Sequence, residues 1–258
     1  MLSGIRGSTV FGIVLGVALL LSLVNSLRDR GEDRPDVQGS SFEAGGVVSE
    51  TREVDEFDAI SLAGVGDVTV SLGDPSLVVR APQNLLGALQ TRVEDDTLTI
   101  RAARRARFPL QRSITYRVTT PSLERLELSG AGDIRAETVS GDDVVLELSG
   151  SGNLYVEDVR AEELEVNLSG EGDMQLSGEV TEQSVSVSGV GNYRACALQS
   201  EAAEVDVSGV GDALVWASDT LEAAVSGVGS VRYRDSPEVS ADVAGVGSVA
   251  RSGSCNQD

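Results

Sequence analysis

The chain repeats itself. A Gly-x-Gly unit followed by a polar and then an apolar residue occurs eight times, at Gly64/Gly66, Gly130/Gly132, Gly150/Gly152, Gly170/Gly172, Gly189/Gly191, Gly209/Gly211, Gly227/Gly229 and Gly245/Gly247. Counted between first glycines, the last seven units are separated by 20, 20, 19, 20, 18 and 18 residues. Self-similarity at so short a period is the mark of a stacked repeat architecture.

The residues around each unit fall into columns. Two before the first glycine stand Leu128, Leu148, Leu168, Val187, Val207, Val225 and Val243, and four before stand Leu126, Leu146, Val166, Val185, Val205, Ala223 and Ala241. Between them lie mostly polar residues such as Glu127, Glu147, Asn167 and Asp206, the period-two alternation of a strand with one wet face. A second strand follows the glycines, its inward positions reading Ile134, Leu154, Met174, Tyr193, Ala213, Val231 and Val249 and then Ala136, Val156, Leu176, Ala195, Val215 and Tyr233. Tyr193 has Ala213 above it and Ala195 on its own strand, the volume compensation a stacked core requires. The pattern predicts an all-β parallel solenoid whose glycines, one pair per turn, let the corner adopt positive φ and lie close to the next corner. An antiparallel sandwich of hairpins fits less well, because its turns would not repeat one polar residue at every corner.

Residues 47–125 hold the first unit without the close spacing, and read as an N-terminal β cap with the first coils; residues 126–250 are the regular coils of a domain spanning 47–253. Strands are expected within Phe57 to Val70, Leu77 to Arg80, Leu98 to Arg101 and Ile114 to Val118, with a short helix over Asn84 to Val93.

Upstream, Thr9 to Leu27 carries no charge and is apolar all round, so residues 1–27 read as an N-terminal hydrophobic signal or anchor helix. Residues 28–46, RDRGEDRPDVQGSSFEAGG, read as a flexible linker. Together they place the domain outside the cytoplasm, in the periplasm or at the cell surface. Cys196 and Cys255 fall about three coils apart, roughly 14 Å at one strand spacing per coil, so their pairing requires the tail to fold back.

Composition removes several chemistries. The 258 residues contain 20 basic residues, all Arg, 41 Asp and Glu, and no His, for a formal net charge of -21. There is no Ser-His-Asp or Cys-His nucleophile, no His-ligated metal and no lysine for a phosphate loop. Such a charge repels nucleic acid.

The runs LELSGAGDIRAE, LELSGSGNLYVE, VNLSGEGDMQLSG, VSVSGVGNYRA, VDVSGVGDALVW and VSGVGSVRYRDSPEVSADVAGVGSV resemble the bacterial head GIN domain named for autotransporter adhesins. The segments FDAISLAGVGDVTVSLGD and ITYRVTTPSLERLELSGAG resemble that family's opening, so the likeness covers about Phe57 to Val249. It implies a right-handed β-helix-like fold, adhesion as the function, and no catalytic residue or cofactor to carry over. No recognisable autotransporter barrel follows Val249.

The best candidate for a binding face is the outward column at the fifth residue after each first glycine: Arg135, Tyr155, Gln175, Arg194, Leu214 and Arg232, with Trp216 nearby. Arg offers forked donors and aromatic rings stack on sugars, which suits a carboxylated or sulfated glycan; the alternative is a solvated flank. The corner residues Asp67, Asp133, Asn153, Asp173, Asn192, Asp212, Ser230 and Ser248 could line up oxygens for Ca²⁺, but bonds from turn side chains to nearby backbone N–H groups explain them more simply. Arg101, Arg104, Arg105, Arg107 and Arg112 form a basic run suited to an exposed loop or to anionic lipid. The sequence thus points to a non-catalytic, adhesin-like surface or envelope module. Expected partners are a glycan or envelope protein, and the membrane through an uncleaved N-terminal segment; an oligomer is possible through an uncapped last coil. A periplasmic structural or signalling protein and a carbohydrate-active β-helix enzyme are the alternatives.

Overall fold

The structure is a computed structural model and describes residues 46–103 and 114–252. The hydrophobic segment, most of the linker, Arg104, Arg105, Arg107, Arg112 and Cys255 lie outside the described residues. Those described form β1 (Val47–Arg52), β2 (Ala59–Leu62), β3 (Asp67–Leu72), β4 (Ser76–Pro82), β5 (Leu89–Glu94), β6 (Thr97–Ala102), β7 (Thr115–Thr120) and β8 (Arg125–Leu128). The long strands β9 (Ile134–Leu148), β10 (Leu154–Leu168), β11 (Met174–Val187), β12 (Tyr193–Val207) and β13 (Ala213–Val225) follow, then β14 (Val228–Arg234), β15 (Glu238–Val243) and β16 (Val246–Arg251).

From β8 onward the strands stack in parallel, each coil on the one before. The register is the one the glycines dictate: Ile134 lies beside Leu154, Leu154 beside Met174, Met174 beside Tyr193, Tyr193 beside Ala213, Ala213 beside Val231 and Val231 beside Val249. Each long strand leaves one Gly-x-Gly corner along a first side, bends near its middle, and returns along a second side to the next corner. In β9 the first side buries Ile134, Ala136 and Val139, and the second buries Val144, Leu146 and Leu148. Between the sides lies one continuous apolar core, almost free of large rings.

The corners show why glycine recurs. Gly172 has φ +140°, a conformation costly for any residue with a Cβ, and a Cβ there would collide with the carbonyl oxygen of Gly152 in the coil beneath. Central corner residues bridge directly from coil to coil, Ala131 to Ser151, Ser151 to Glu171 and Glu171 to Val190.

The two jobs expected of the corner glycines, positive φ and close approach, divide between the members of each pair. Among them, a φ that residues with a Cβ rarely adopt is confined to second glycines: Gly66, Gly132, Gly152, Gly172, Gly191, Gly211 and Gly229. The first glycines are held to their residue type by close approach alone. A Cβ at Gly130, Gly150, Gly170, Gly189, Gly209, Gly227 or Gly245 would collide with the backbone beneath, whereas at Gly64 it would only press on Arg101. Gly66 departs from the repeat because the cap lies beneath it: its Cβ would meet Ile114, where Gly132 stands over Gly66 as glycine over glycine. Gly229 and Gly247 are not turn residues at all but lie inside β14 and β16. There the ladder runs unbroken through the corner, Val228 beside Val246, Gly229 beside Gly247 and Ser230 beside Ser248, so strand pairing replaces the turn. Gly247 takes none of the strained φ values, yet its Cβ would still strike the Gly229 carbonyl.

The N-terminal cap is less sequential than the sequence implies. On the first side the strand order is β1-β4-β7-β3-β9, and on the second β5-β6-β2-β8-β9. The unit carrying Gly64/Gly66 therefore lies between the coil formed by β6 and β7 and the coil begun by β8, and Val65 bridges Ala131. Antiparallel strands β4 and β1 close one side of this pole and β5 the other. The expected helix over Asn84 to Val93 is corrected: only Leu86–Ala88 turns, as a 3-10 turn, and Leu89–Glu94 is a strand. Its alternation of covered and exposed residues suits a half-buried strand, and Asp95 and Asp96, both at positive φ, form the hairpin turn into β6. Strand β1 lies outside the expected set; Arg52 anchors it by donating to the carbonyls of Leu89 and Leu86 and to Thr91 Oγ1.

Cys196 is disulfide-bonded. The chain's other cysteine, Cys255, lies outside the described residues.

One polar system runs through the core. The Tyr193 hydroxyl donates to Gln183 Oε1 at 3.0 Å, Gln183 Nε2 donates to Ser200 Oγ at 2.8 Å, and Ser200 Oγ donates to the Trp216 carbonyl at 2.9 Å. Gln183 occupies a column held by Leu164 and Ala203 in the neighbouring coils, and Tyr193 reaches across the core to satisfy it. Burial pushes the Tyr193 hydroxyl's pKa far above the ordinary phenol value, so it acts only as a neutral donor.

Candidate functional site

The corner side chains form a ladder between coils. Asp67, Asp133, Asn153, Asp173, Asn192 and Asp212 each use Oδ1 to accept the backbone N–H of the equivalent residue one coil further on, at 2.8–3.1 Å. The sequence suggests local turn bonds; these bonds instead tie one coil to the next. From Asp133 onward carboxylates and amides alternate. Stacked carboxylates would sit one strand spacing apart and repel, whereas Asn153 and Asn192 donate Nδ2–H to Oδ1 of Asp133 and Asp173 at 2.9 and 2.8 Å. The corner oxygens are thereby committed to N–H groups, and among the described residues no group of three or more acidic side chains or Cys is placed to hold a metal ion.

The expected outward column is a physical column. Arg135 lies beside Tyr155, Tyr155 beside Gln175, Gln175 beside Arg194, Arg194 beside Leu214 and Leu214 beside Arg232. Its arginines are tied to the ladder: Arg135 donates to Oδ2 of Asp133 at 3.0 Å, Arg194 to Asp173 at 2.5 Å and Arg232 to Asp212 at 3.3 Å. Arg135 also lies 4.6 Å from the centroid of the Tyr155 ring. Trp216 stands one column further out beside Arg234, whose guanidinium lies 3.9 Å from its ring, and its indole N–H donates to Asp235 at 3.4 Å. The structure thus brings the predicted residues onto one sheet. What residue type alone does not reveal is the ion pairing with the ladder, although each Arg stands two residues from a corner position.

Asp173 joins both systems. Partial burial would raise its pKa, but hydrogen bonds from Arg194 and from the side chain and backbone of Asn192 outweigh this and hold it below the usual carboxylate range. A depressed pKa means that the stabilisation is complete above the unfolded-state value, about 3.9, and is lost as pH falls through the lower folded value. Asp173→Asn is therefore expected to lower the denaturant midpoint at pH 7 and to differ less from the parent near pH 2. Equal differences at both pH values would show that the carboxylate charge contributes nothing there.

The second side has the opposite character. From Gly141 onward its strands carry no basic residue, while Glu163, Glu182, Glu204, Glu222 and Glu238 face outward along it. On neighbouring coils Glu163 stands beside Glu182 and Glu204 beside Glu222, over an open surface.

Three comparisons place this geometry. A solved protein from Bacteroides fragilis described as a "putative adhesin" matches with TM-score 0.77 and 28% identity, over 80% of this chain and 97% of that one. Another so described, from Parabacteroides distasonis, matches with TM-score 0.65 and 25% identity, over 81% and 98%. A "putative lipid binding protein" from the same species shares the fold at TM-score 0.62 and 22% identity, over 81% and 97%. No curated protein sequence matches the chain significantly. The family model described as "Putative auto-transporter adhesin, head GIN domain" matches residues 56–237. With that match across most of its length and a glycine-cornered solenoid beneath it, the chain belongs to the head GIN domain family.

Proposed function

We propose that the domain is an exported, non-catalytic, adhesin-like module that binds an extended glycan or envelope protein along its first side. The carrying observation is the unbroken column of Arg135, Tyr155, Gln175, Arg194, Leu214 and Arg232, flanked by Trp216, on one sheet. Such a strip suits a polymer lying across several coils, each adding a small contact. Because three of its arginines already hold carboxylates, each pair offers a donor and an acceptor together. That favours a hydroxyl-rich, uncharged glycan over the carboxylated or sulfated one that Arg alone suggests, as does a net charge of -21.

The coils wind right-handed in this reading, as parallel β connections do almost without exception. Residues 1–27 carry the chain across the membrane as a signal or retained anchor, and residues 28–46 tether the domain in the periplasm or at the surface. The disulfide at Cys196 supports an oxidising compartment. Protease cleavage within Arg101 to Arg112 on intact cells, against permeabilised cells, separates these locations: protection until permeabilisation would remove direct adhesion. On a panel of neutral and acidic glycans, Tyr155→Ala combined with Trp216→Ala is expected to weaken binding roughly ten- to hundredfold, as loss of two interface anchors does. Unchanged binding by the folded variant would remove this face as the site.

A further inference from the structure

Among the described residues the C-terminal pole is an open strand edge. β15 stacks on the second side of β13, with Val239 beside Leu221, Ala241 beside Ala223 and Val243 beside Val225. Those β13 residues are buried, as are their counterparts in β9 to β12, whereas all six residues of β15 are exposed. Among the described residues nothing pairs with the outer edges of β15 and β16. The opposite pole, by contrast, is closed by antiparallel strands.

A second observation leads to the same place. The central corner residues change from Ala131, Ser151 and Glu171 to Val190, Val210, Val228 and Val246. The four valines are 55, 52, 51 and 71% exposed and stack one per coil, so the corner becomes an apolar ridge that ends abruptly at this pole. Exposed apolar ridges and open strand edges are uncommon on chains that stay single.

Charge identifies what fits. β15 begins at Glu238 and ends at the last glycine corner; β16 begins at that corner and ends at Arg251. Turning a second copy by 180° about the strand direction sets pole on pole and corner on corner. Each β15 then runs antiparallel to the other copy's β16, and Arg251 faces the partner's Glu238 twice. Val246 meets the partner's Val246 and the ridge continues unbroken. The other two-fold, normal to the sheets, opposes each strand to its own copy, brings Glu238 towards the partner's Asp242 and sends the ridges to opposite ends. We propose that this pole is a self-association surface on which a second copy of the chain docks tail to tail, β15 against β16, in the first of these arrangements. The contact is isologous and closes as a dimer. It is one coil edge wide, small against the roughly 1,200–2,000 Å² of a stable interface, so the pair forms where chains are concentrated.

The test places a photo-crosslinking benzoylphenylalanine at Val246 in the full chain, expressed in a bacterial host, with the same probe at Val190 as control. A dimer-sized adduct from Val246, at least tenfold stronger than from Val190 and mapping to the partner pole, is expected. Arg251→Glu alone, or Glu238→Arg with Asp242→Arg, should each lower that adduct at least tenfold. Co-expressing the two variants restores both opposite-charge contacts, and should bring the adduct back to within about twofold. Adducts equal at both positions, adducts only to another protein or to lipid, or no recovery on mixing would overturn the proposal. All three charged positions are exposed, and the recovery on mixing also shows that the variants are folded.

Discussion

Gly172→Ala is expected to destabilise the domain severely. Two costs coincide at this position. The φ of +140° is strained for any residue with a Cβ, and the new methyl group would meet the backbone of Gly152, which no side-chain rotation can move aside. Separating the two corners would lengthen the bridge between Glu171 and Ser151 and pull Asp173 N–H from the Asn153 oxygen, 3.0 Å away. The loss should exceed roughly 4 kcal/mol, in the range reserved for backbone strain and core disruption. A domain has only about 5–15 kcal/mol in total. Gly87→Ala is the matched control: a Cβ there meets nothing within 4 Å, and its effect should stay within about 0.5 kcal/mol. Chemical denaturation monitored by circular dichroism measures both. Similar midpoints for the two variants would refute the close-stacked corner.

The second large effect is expected at Tyr193. Tyr193→Ala opens a cavity between the coils of Met174 and Ala213 and should cost about 3–5 kcal/mol. Tyr193→Phe keeps the volume and removes only the donor to the buried Gln183 Oε1, for about 1–2 kcal/mol. Gln183→Leu in the Tyr193→Phe background should recover part of that loss, since Leu164 shows that the column accepts the residue. A Phe variant as stable as the parent would mean that the hydroxyl is not engaged.

The repeat makes most of this fold legible. Columns counted from the glycines reproduce the strand pairing on both flanks of each corner, and lose it only near the strand middles, where the register shifts between Val156 and Val159, Gln175 and Ser177, and Arg194 and Gln199 absorb the unequal coil lengths. Legibility fails where the chain departs from that translation. Nothing local shows that the Gly64/Gly66 unit inserts beneath Gly130, since β4 to β7 intervene and return to cover it. Nor does the motif at Gly229 and Gly247 differ from the others in its glycines, although its corner has become strand; the change lies in the residue that follows, Ser230 and Ser248 in place of Asp or Asn. Gln183 reads as one more surface residue, because its partners Tyr193 and Ser200 are reached only through the coil geometry. In the binding face the column can be counted, but the ion pairs cannot, because Arg194 and Arg232 reach back a full coil to Asp173 and Asp212.

The corner ladder has a repeat length of its own. The backbone regains its pattern after one coil, but from Asp133 to Asp212 the side chains regain theirs only after two, because acid and amide take turns. The exception, Asp67 beneath Asp133, falls where the cap begins, and Arg135 neutralises the upper member. Losing a single coil that carries Asn153 or Asn192 would set carboxylate on carboxylate, and losing the Asp173 coil would set amide on amide, whereas losing an adjacent pair would leave the alternation intact. Length in this molecule is therefore counted in electrostatic pairs of coils, a coarser unit than the one its glycines display.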